Sequence, residues 1–319
     1  MAGAEAELRV DGGVAGTLCP GASEVDYRWT PGADPRSPAE IEAFFHSPAI
    51  AVLKERICDI GRRLWQREYT DGNGGNITIR VGDRLALCTP TLMCKGFMRP
   101  EDVCLVDFDG RHLAGQRTPT SEALTHFAIM TRQPAAKSCV HAHPPHATAF
   151  AIGHAEIPQY LIPEVEIFLG KIGVAEYGTP GSAAYAALIG EAARDHQAVL
   201  MKNHGVMVWG HDIEDAYWKM ENVDAYCRMI WIAAGLGGGL RAFSGRQAKE
   251  LIQRRQRQGM TDVRASLGEE DLVNRTDLRR WGRDGAAGTA GASPAPLTEA
   301  HLEVIVRAVT ERVLRELGR

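Results

Sequence analysis

The 319-residue sequence predicts a mixed α/β domain over about residues 38–259, and three observations carry that expectation. Short β-rich runs recur between helical patterns through the middle of the chain. Turn chemistry (DGNGGN, DFDG and NHG) separates many of them. Hydrophobic residues make up 45% of the chain and charged residues 24%, the balance of an ordinary globular protein long enough to bury a sizeable core.

Each element follows from local signals. Residues 1–37 are rich in Gly, Ala and Pro without a sustained apolar period, and read as a mobile or loosely draped arm. From Pro38, PAEIEAFFHSPAIAVLKERICDIGRRLWQREY is helical, with a break near Ser47–Pro48. DGNGGN then turns the chain, and ITIRV and RLALCTP read as a hairpin around Gly82–Asp83. VCLVD is a further strand, with DFDG as the turn after it. TSEALTHFAIMTR reads as a helix beginning near Thr120. KSCVHAH is a strand, PPHATAFAIG the helix that follows, and AAYAALIGEAARD another helix. AVLMKN and GVMVWG flank a turn at His204–Gly205, and Asp212 stands where it can cap the long helix IEDAYWKMENVDAYCRMIWIAAGL.

Beyond residue 259 the pattern changes. Residues 260–296 hold a strongly charged segment and then a low-complexity linker, GAAGTAGASPAP. Residues 297–319 read as a detached C-terminal amphipathic helix. Leu302, Ile305, Val306, Val309, Val313 and Leu317 recur at three- and four-residue steps and form one apolar stripe. A helix of this length is marginal alone in water, so the stripe needs a partner, either its own oligomer or another protein.

The bulk properties exclude several classes. A formal net charge of -4, from 36 basic and 40 acidic residues, leaves no basic footprint for nucleic acid and no polybasic membrane patch. No apolar run reaches spanning length and the N-terminus lacks a signal-peptide pattern, so the expected location is the cytoplasm. The seven cysteines are scattered and never form CxxC, which argues against a disulfide framework or a thiolate zinc site. Any metal must be sought among histidines and carboxylates.

VHAHPPH, residues 140–146, packs three of the eleven histidines into seven residues. On a strand, His141 and His143 project from the same face, and two imidazoles so placed can bind one ion at about 2.0–2.1 Å. His204 offers a third ligand at a strand–turn boundary, where Gly205 permits close backbone approach. His146 belongs to the following helix and faces away. His126, His154, His196 and His211 read as structural or solvated. By itself TSE, residues 120–122, is a helix start with a capping hydroxyl and a favourable acidic residue.

GNGGNITIR, TPT, PTSEALTH, VHAHPPHATA and KNHGVMVWG occur in an order that resembles the class II aldolase/adducin family, over roughly residues 55–236. The family includes L-fuculose-phosphate and L-rhamnulose-phosphate aldolases and ribulose-phosphate 4-epimerases. The resemblance implies a three-layer α/β/α fold with a mainly antiparallel central sheet, and commonly a homotetramer with active sites between subunits. It implies Zn2+ held by His141, His143 and His204, with Glu122 as the catalytic glutamate that can also coordinate the metal. It assigns Gly75, Asn76, Thr91, Thr120 and Ser121 to the phosphorylated substrate.

The activity so implied is cleavage of a deoxyketose 1-phosphate, L-fuculose 1-phosphate or L-rhamnulose 1-phosphate, to dihydroxyacetone phosphate and L-lactaldehyde. Related sugar-acid phosphate decarboxylases and pentulose-phosphate 4-epimerases are alternatives, although the epimerases generally carry aspartate where Glu122 stands. An adducin-like interaction module is the non-enzymatic alternative, and such heads lack the histidine set.

The sequence departs from the aldolase pattern in places. Ile162 occupies the position of one neighbouring-subunit tyrosine, leaving Tyr160 as a possible proton donor, and no tyrosine follows Tyr226. Leu92 follows TPT where glycine is frequent. Lys95 could add a cation there, but a solvated surface lysine is the plainer reading. Linker and terminal helix together resemble the encapsulation peptides of bacterial microcompartment cargo enzymes, which implies a shell protein as a further partner and a compartment as the location.

Overall fold

Strand alternation builds the architecture. In the computed structural model, which describes residues 27–236 and 239–272, one sheet forms from β1 (Asn76–Arg80), β2 (Leu85–Cys88), β3 (Cys104–Asp107), β4 (His112–Ala114), β5 (Ser138–Ala142), β6 (Gly173–Ala175), β7 (Ala198–Met201) and β8 (Gly205–Gly210). The strand order is β4-β3-β2-β1-β5-β8-β7-β6. Every neighbouring pair is antiparallel except β6 with β7.

Successive residues point to opposite faces, so each strand feeds two cores. Ile77, Leu87, Val140 and Val208 pack on one face with α2 (Pro48–Gln66), α4 (Pro145–Gly153) and α6 (Ile213–Gly235). Cys88, Val106, Cys139 and Trp209 pack on the other with α3 (Ala123–Arg132) and α5 (Ala183–Asp195). The mixed α/β, mainly antiparallel arrangement is the one expected.

The local signals act as elementary chemistry requires. Ser37 and Glu40 form a capping box at α1 (Pro38–Phe45), and the chain breaks at Ser47–Pro48 before α2. Asp212 accepts the Asp215 N–H at 2.7 Å and caps α6. The helix expected from Thr120 begins at Ala123, leaving Thr120–Glu122 as a non-helical approach. β4 went unread because three residues carry no period.

Two boundaries need correction. Residues 27–37 are not a loose arm, because they are pinned to the β1–β2 hairpin. The Tyr27 hydroxyl donates to the Val81 carbonyl at 2.9 Å and Trp29 Nε1 donates to Asp83 at 2.9 Å. Asp34 accepts the Asp83 and Arg84 N–H groups at 2.9 and 3.0 Å.

Nor does the globular part end at residue 259. α7 (Gly245–Arg257) buries Ala248 and Ile252 beside Leu272 and Tyr160. Arg264 is buried, donating to Glu166 at 2.6 Å and to Asp262 at 2.8 Å. Arg264 and Asp262 thus pair in the interior, with Glu166 as a further partner, whereas Glu269 and Glu270 stay exposed. The linker and the expected terminal helix, with its stripe from Leu302 to Leu317, lie outside the described residues.

Candidate active site

The expected ligands converge where β5 ends. His141 of β5 sits opposite Asn76 of β1 on one side and Met207 of β8 on the other. His143 lies one residue past the strand, its N–H donating to the Tyr69 carbonyl at 2.8 Å. His204 comes from the turn between β7 and β8. Two glycines permit this crowding. A Cβ at Gly205 would lie 2.6 Å from both the Ala142 carbonyl oxygen and the His143 ring. Gly75 has φ +72°, and a Cβ there would lie 2.8 Å from the His141 carbonyl oxygen.

Ring nitrogens of His141, His143 and His204 all lie within 4.8 Å of one another. His141 Nε2 is 3.2 Å from His143 Nε2. His141 Nδ1 faces the Val206 carbonyl at 2.9 Å. A carbonyl only accepts, so Nδ1 carries the proton and Nε2 presents a lone pair. His204 Nδ1 lies 3.3 Å from the Tyr185 hydroxyl. Burial lowers the pKa of all three, furthest for His141, where His204 and His143 add to it. Neutral imidazoles with lone pairs crowded together are a donor set for a cation.

Glu122 completes the cluster. It is buried, with Oε2 3.5 Å from His141 Nε2 and Oε1 3.7 Å from His204 Nε2. Asn76 Nδ2 donates to Glu122 Oε2 at 2.8 Å, and Asn76 Oδ1 contacts His126 Nε2. Both ends of the Asn76 amide are thus engaged.

The remaining expected substrate residues lie on two segments that are joined to each other. The Thr120 N–H donates to the Thr89 carbonyl at 3.0 Å and the Thr91 N–H to Thr118 at 2.9 Å. A bridge between Pro90 and Pro119 ties the two segments together. Ser121 is exposed. Lys95 is not a surface lysine. It is buried, and its ammonium donates to the carbonyls of Asn73 and Met93 at 3.1 and 2.6 Å, fastening the DGNGGN turn to the loop after Thr91. Burial pushes its pKa down to about 8. Leu92, at φ +53°, leaves its side chain 81% exposed.

Tyr160 is not brought to this cluster. It is buried in the small core around α7, with the Arg264 guanidinium 5.3 Å from its ring centre.

Sequence reasoning missed two residues. Tyr185 is the one large polar residue in the small-residue run AAYAALIG, which was a usable signal. His126 follows Glu122 by four residues, a helical spacing that puts both on one face.

Comparison with known proteins gives the family. Residues 55–231 match the Class II Aldolase and Adducin N-terminal domain. An L-fuculose phosphate aldolase of Methanocaldococcus jannaschii is 35% identical over 176 residues, covering 55% of this chain and 94% of that protein. A 3-oxo-tetronate 4-phosphate decarboxylase of Escherichia coli is 31% identical over 184 residues, covering 56% of this chain and 86% of the other. The crystal structure of Escherichia coli YgbL superposes with a TM-score of 0.59 at 28% identity, covering 63% of this chain and 98% of that one.

Proposed function

The chain belongs to the class II aldolase and adducin family, and from that membership we propose that it is a zinc-dependent carbon–carbon lyase acting on a phosphorylated ketose. L-Fuculose 1-phosphate or L-rhamnulose 1-phosphate, cleaved to dihydroxyacetone phosphate and L-lactaldehyde, is the leading substrate. The observation that carries the reading is the meeting of three neutral histidines with the Glu122 carboxylate, 3.5 Å from His141.

Three imidazole nitrogens and a nearby carboxylate suit zinc. A divalent cation held there supplies positive charge against the oxyanion that develops as the carbon–carbon bond breaks. The protein's own groups do the rest. The bond from His141 to the Val206 carbonyl keeps Nε2 unprotonated and aimed into the cluster. Glu122 moves the proton at the donor carbon. Ser121, Thr120, Thr91 and the backbone at Gly75 take the phosphate, with the buried Lys95 cation close behind the Gly75 turn. Tyr185 holds the His204 ring from behind, as partners of metal-bound histidines do. Replacing Tyr185 with Phe is expected to weaken zinc about tenfold while leaving the fold intact, measured by chelator competition. Unchanged affinity would remove Tyr185 from the site.

A second reading, decarboxylation of a 3-oxo acid phosphate, draws support from the relative that is 31% identical. Both reactions leave a carbanion beside a carbonyl, so the same residues serve either. A coupled assay for dihydroxyacetone phosphate, run beside one for carbon dioxide release, separates them. No product from either ketose with zinc bound and the protein folded would reject the aldolase, and carbon dioxide would select the decarboxylase. Neither product, with no stoichiometric metal, would point to a binding module. Assembly as a homotetramer, and docking of the stripe from Leu302 to Leu317 on a microcompartment shell protein, complete the proposal.

A further inference from the structure

Behind Glu122 runs a line of hydrogen bonds that ends in a fully buried histidine. Thr78 and Asn76 lie two apart on β1, so both face α3, which carries His126 and has Glu122 at its N-cap. Thr78 Oγ1 lies 2.9 Å from His126 Nδ1, His126 Nε2 contacts Asn76 Oδ1, and Asn76 Nδ2 lies 2.8 Å from Glu122 Oε2. Elementary donor rules assign every proton. A carboxylate only accepts, so the Asn76 NH2 must face Glu122 and its oxygen must face His126. His126 Nε2 therefore carries hydrogen, and Nδ1 accepts from the Thr78 hydroxyl. Burial agrees, holding the His126 pKa down to about 3 and the ring neutral.

We propose that His126 is a positioning residue whose Nε2–H fixes the Asn76 amide, so that its NH2 holds the Glu122 carboxylate against the three ligand histidines. The kinetic consequence rests on the lyase reading, whereas the metal-binding consequence does not. Without the donor on His126, the Asn76 amide is held at one end only, by Glu122 itself. Amide and carboxylate can then swing together, and Glu122 is no longer held against the ligand histidines. Groups acting on a metal site through one intermediary typically alter affinity or activity by about 10–100-fold.

The test uses purified full-length protein and a double-mutant cycle on zinc affinity, read by chelator competition against the metal-free protein. His126→Leu removes the donor at similar volume. His126→Asn keeps a polar group that reaches Thr78 but not Asn76, and serves if the leucine variant does not fold. His126→Gln restores an N–H near the Nε2 position. Loss of the donor is expected to weaken zinc about tenfold, as Asn76→Ala should, with little further loss when the two are combined. The Gln variant should stay within about threefold of the parent. With a substrate that is turned over, kcat should fall about 10–100-fold in His126→Asn while KM stays within about twofold.

Parental zinc affinity in folded His126→Leu or His126→Asn would overturn the proposal. So would fully additive losses in the combined variant, since a merely structural histidine would act independently of Asn76. Intact zinc coupling with no turnover of any phosphorylated ketose would sink the lyase reading and leave the positioning role standing. A parent protein that binds no zinc would overturn both.

Discussion

His141→Ala and His204→Ala are each expected to release the metal and to abolish turnover together. Removing either imidazole leaves two from a set whose ring nitrogens lie within 4.8 Å of one another, and Glu122 cannot replace the lost ligand while it also moves the substrate proton. His141 should show the larger effect. It is fully buried between β1 and β8, and its Nδ1 bond to Val206 fixes the ring direction. Turnover should drop by at least about 10³-fold, because both charge stabilisation and substrate orientation go with the ion. Metal content by mass spectrometry, taken on the sample used for the assay, decides the matter. Stoichiometric zinc and activity surviving the loss of His204 would show that the site has been misassigned.

Glu122→Gln is expected to separate chemistry from binding. The amide matches the carboxylate in size and its oxygen can still accept from Asn76, so the cluster should keep its shape. It cannot take up or deliver the substrate proton. The expected loss is about 10²–10⁴-fold in kcat, the usual range for removing a general acid–base group, with KM little changed. Zinc should remain bound by the three untouched imidazoles, though about tenfold more weakly without the carboxylate charge beside them. Steady-state kinetics beside metal analysis tests this. A variant with near-parental kcat would mean that another group moves the proton, whereas loss of zinc would recast Glu122 as chiefly a ligand.

Much of the site was legible because its signals are short in range. His141 and His143 share a face by strand parity alone, and their rings do meet. The hairpin at Gly82–Asp83, the break at Ser47–Pro48 and the Asp212 cap depend on a few neighbouring residues. Gly205 announced the close approach that the packed His143 ring confirms. His204 was reachable because NHG joins two strand patterns. Family resemblance then tied it to the other two histidines, a link that its distance along the chain hides from periodicity.

Tertiary structure decided whatever depends on residues far apart in sequence meeting at one register. Thr78 and His126 are 48 positions apart, and only the pairing of β1 beneath α3 turns the Asn76 amide toward Glu122. Lys95 looked like a surface cation because its partners are backbone carbonyls, which leave no mark in a sequence. Arg264 and Glu166, 98 positions apart, bury one pair of charges where the sequence reads as solvated, and the core beside them takes in Tyr160. The sequence by itself determined which residues could carry the chemistry and which faces they share. Only the tertiary structure decided which neighbours orient them, because burial and hydrogen bonding between distant segments set the direction and protonation of a side chain.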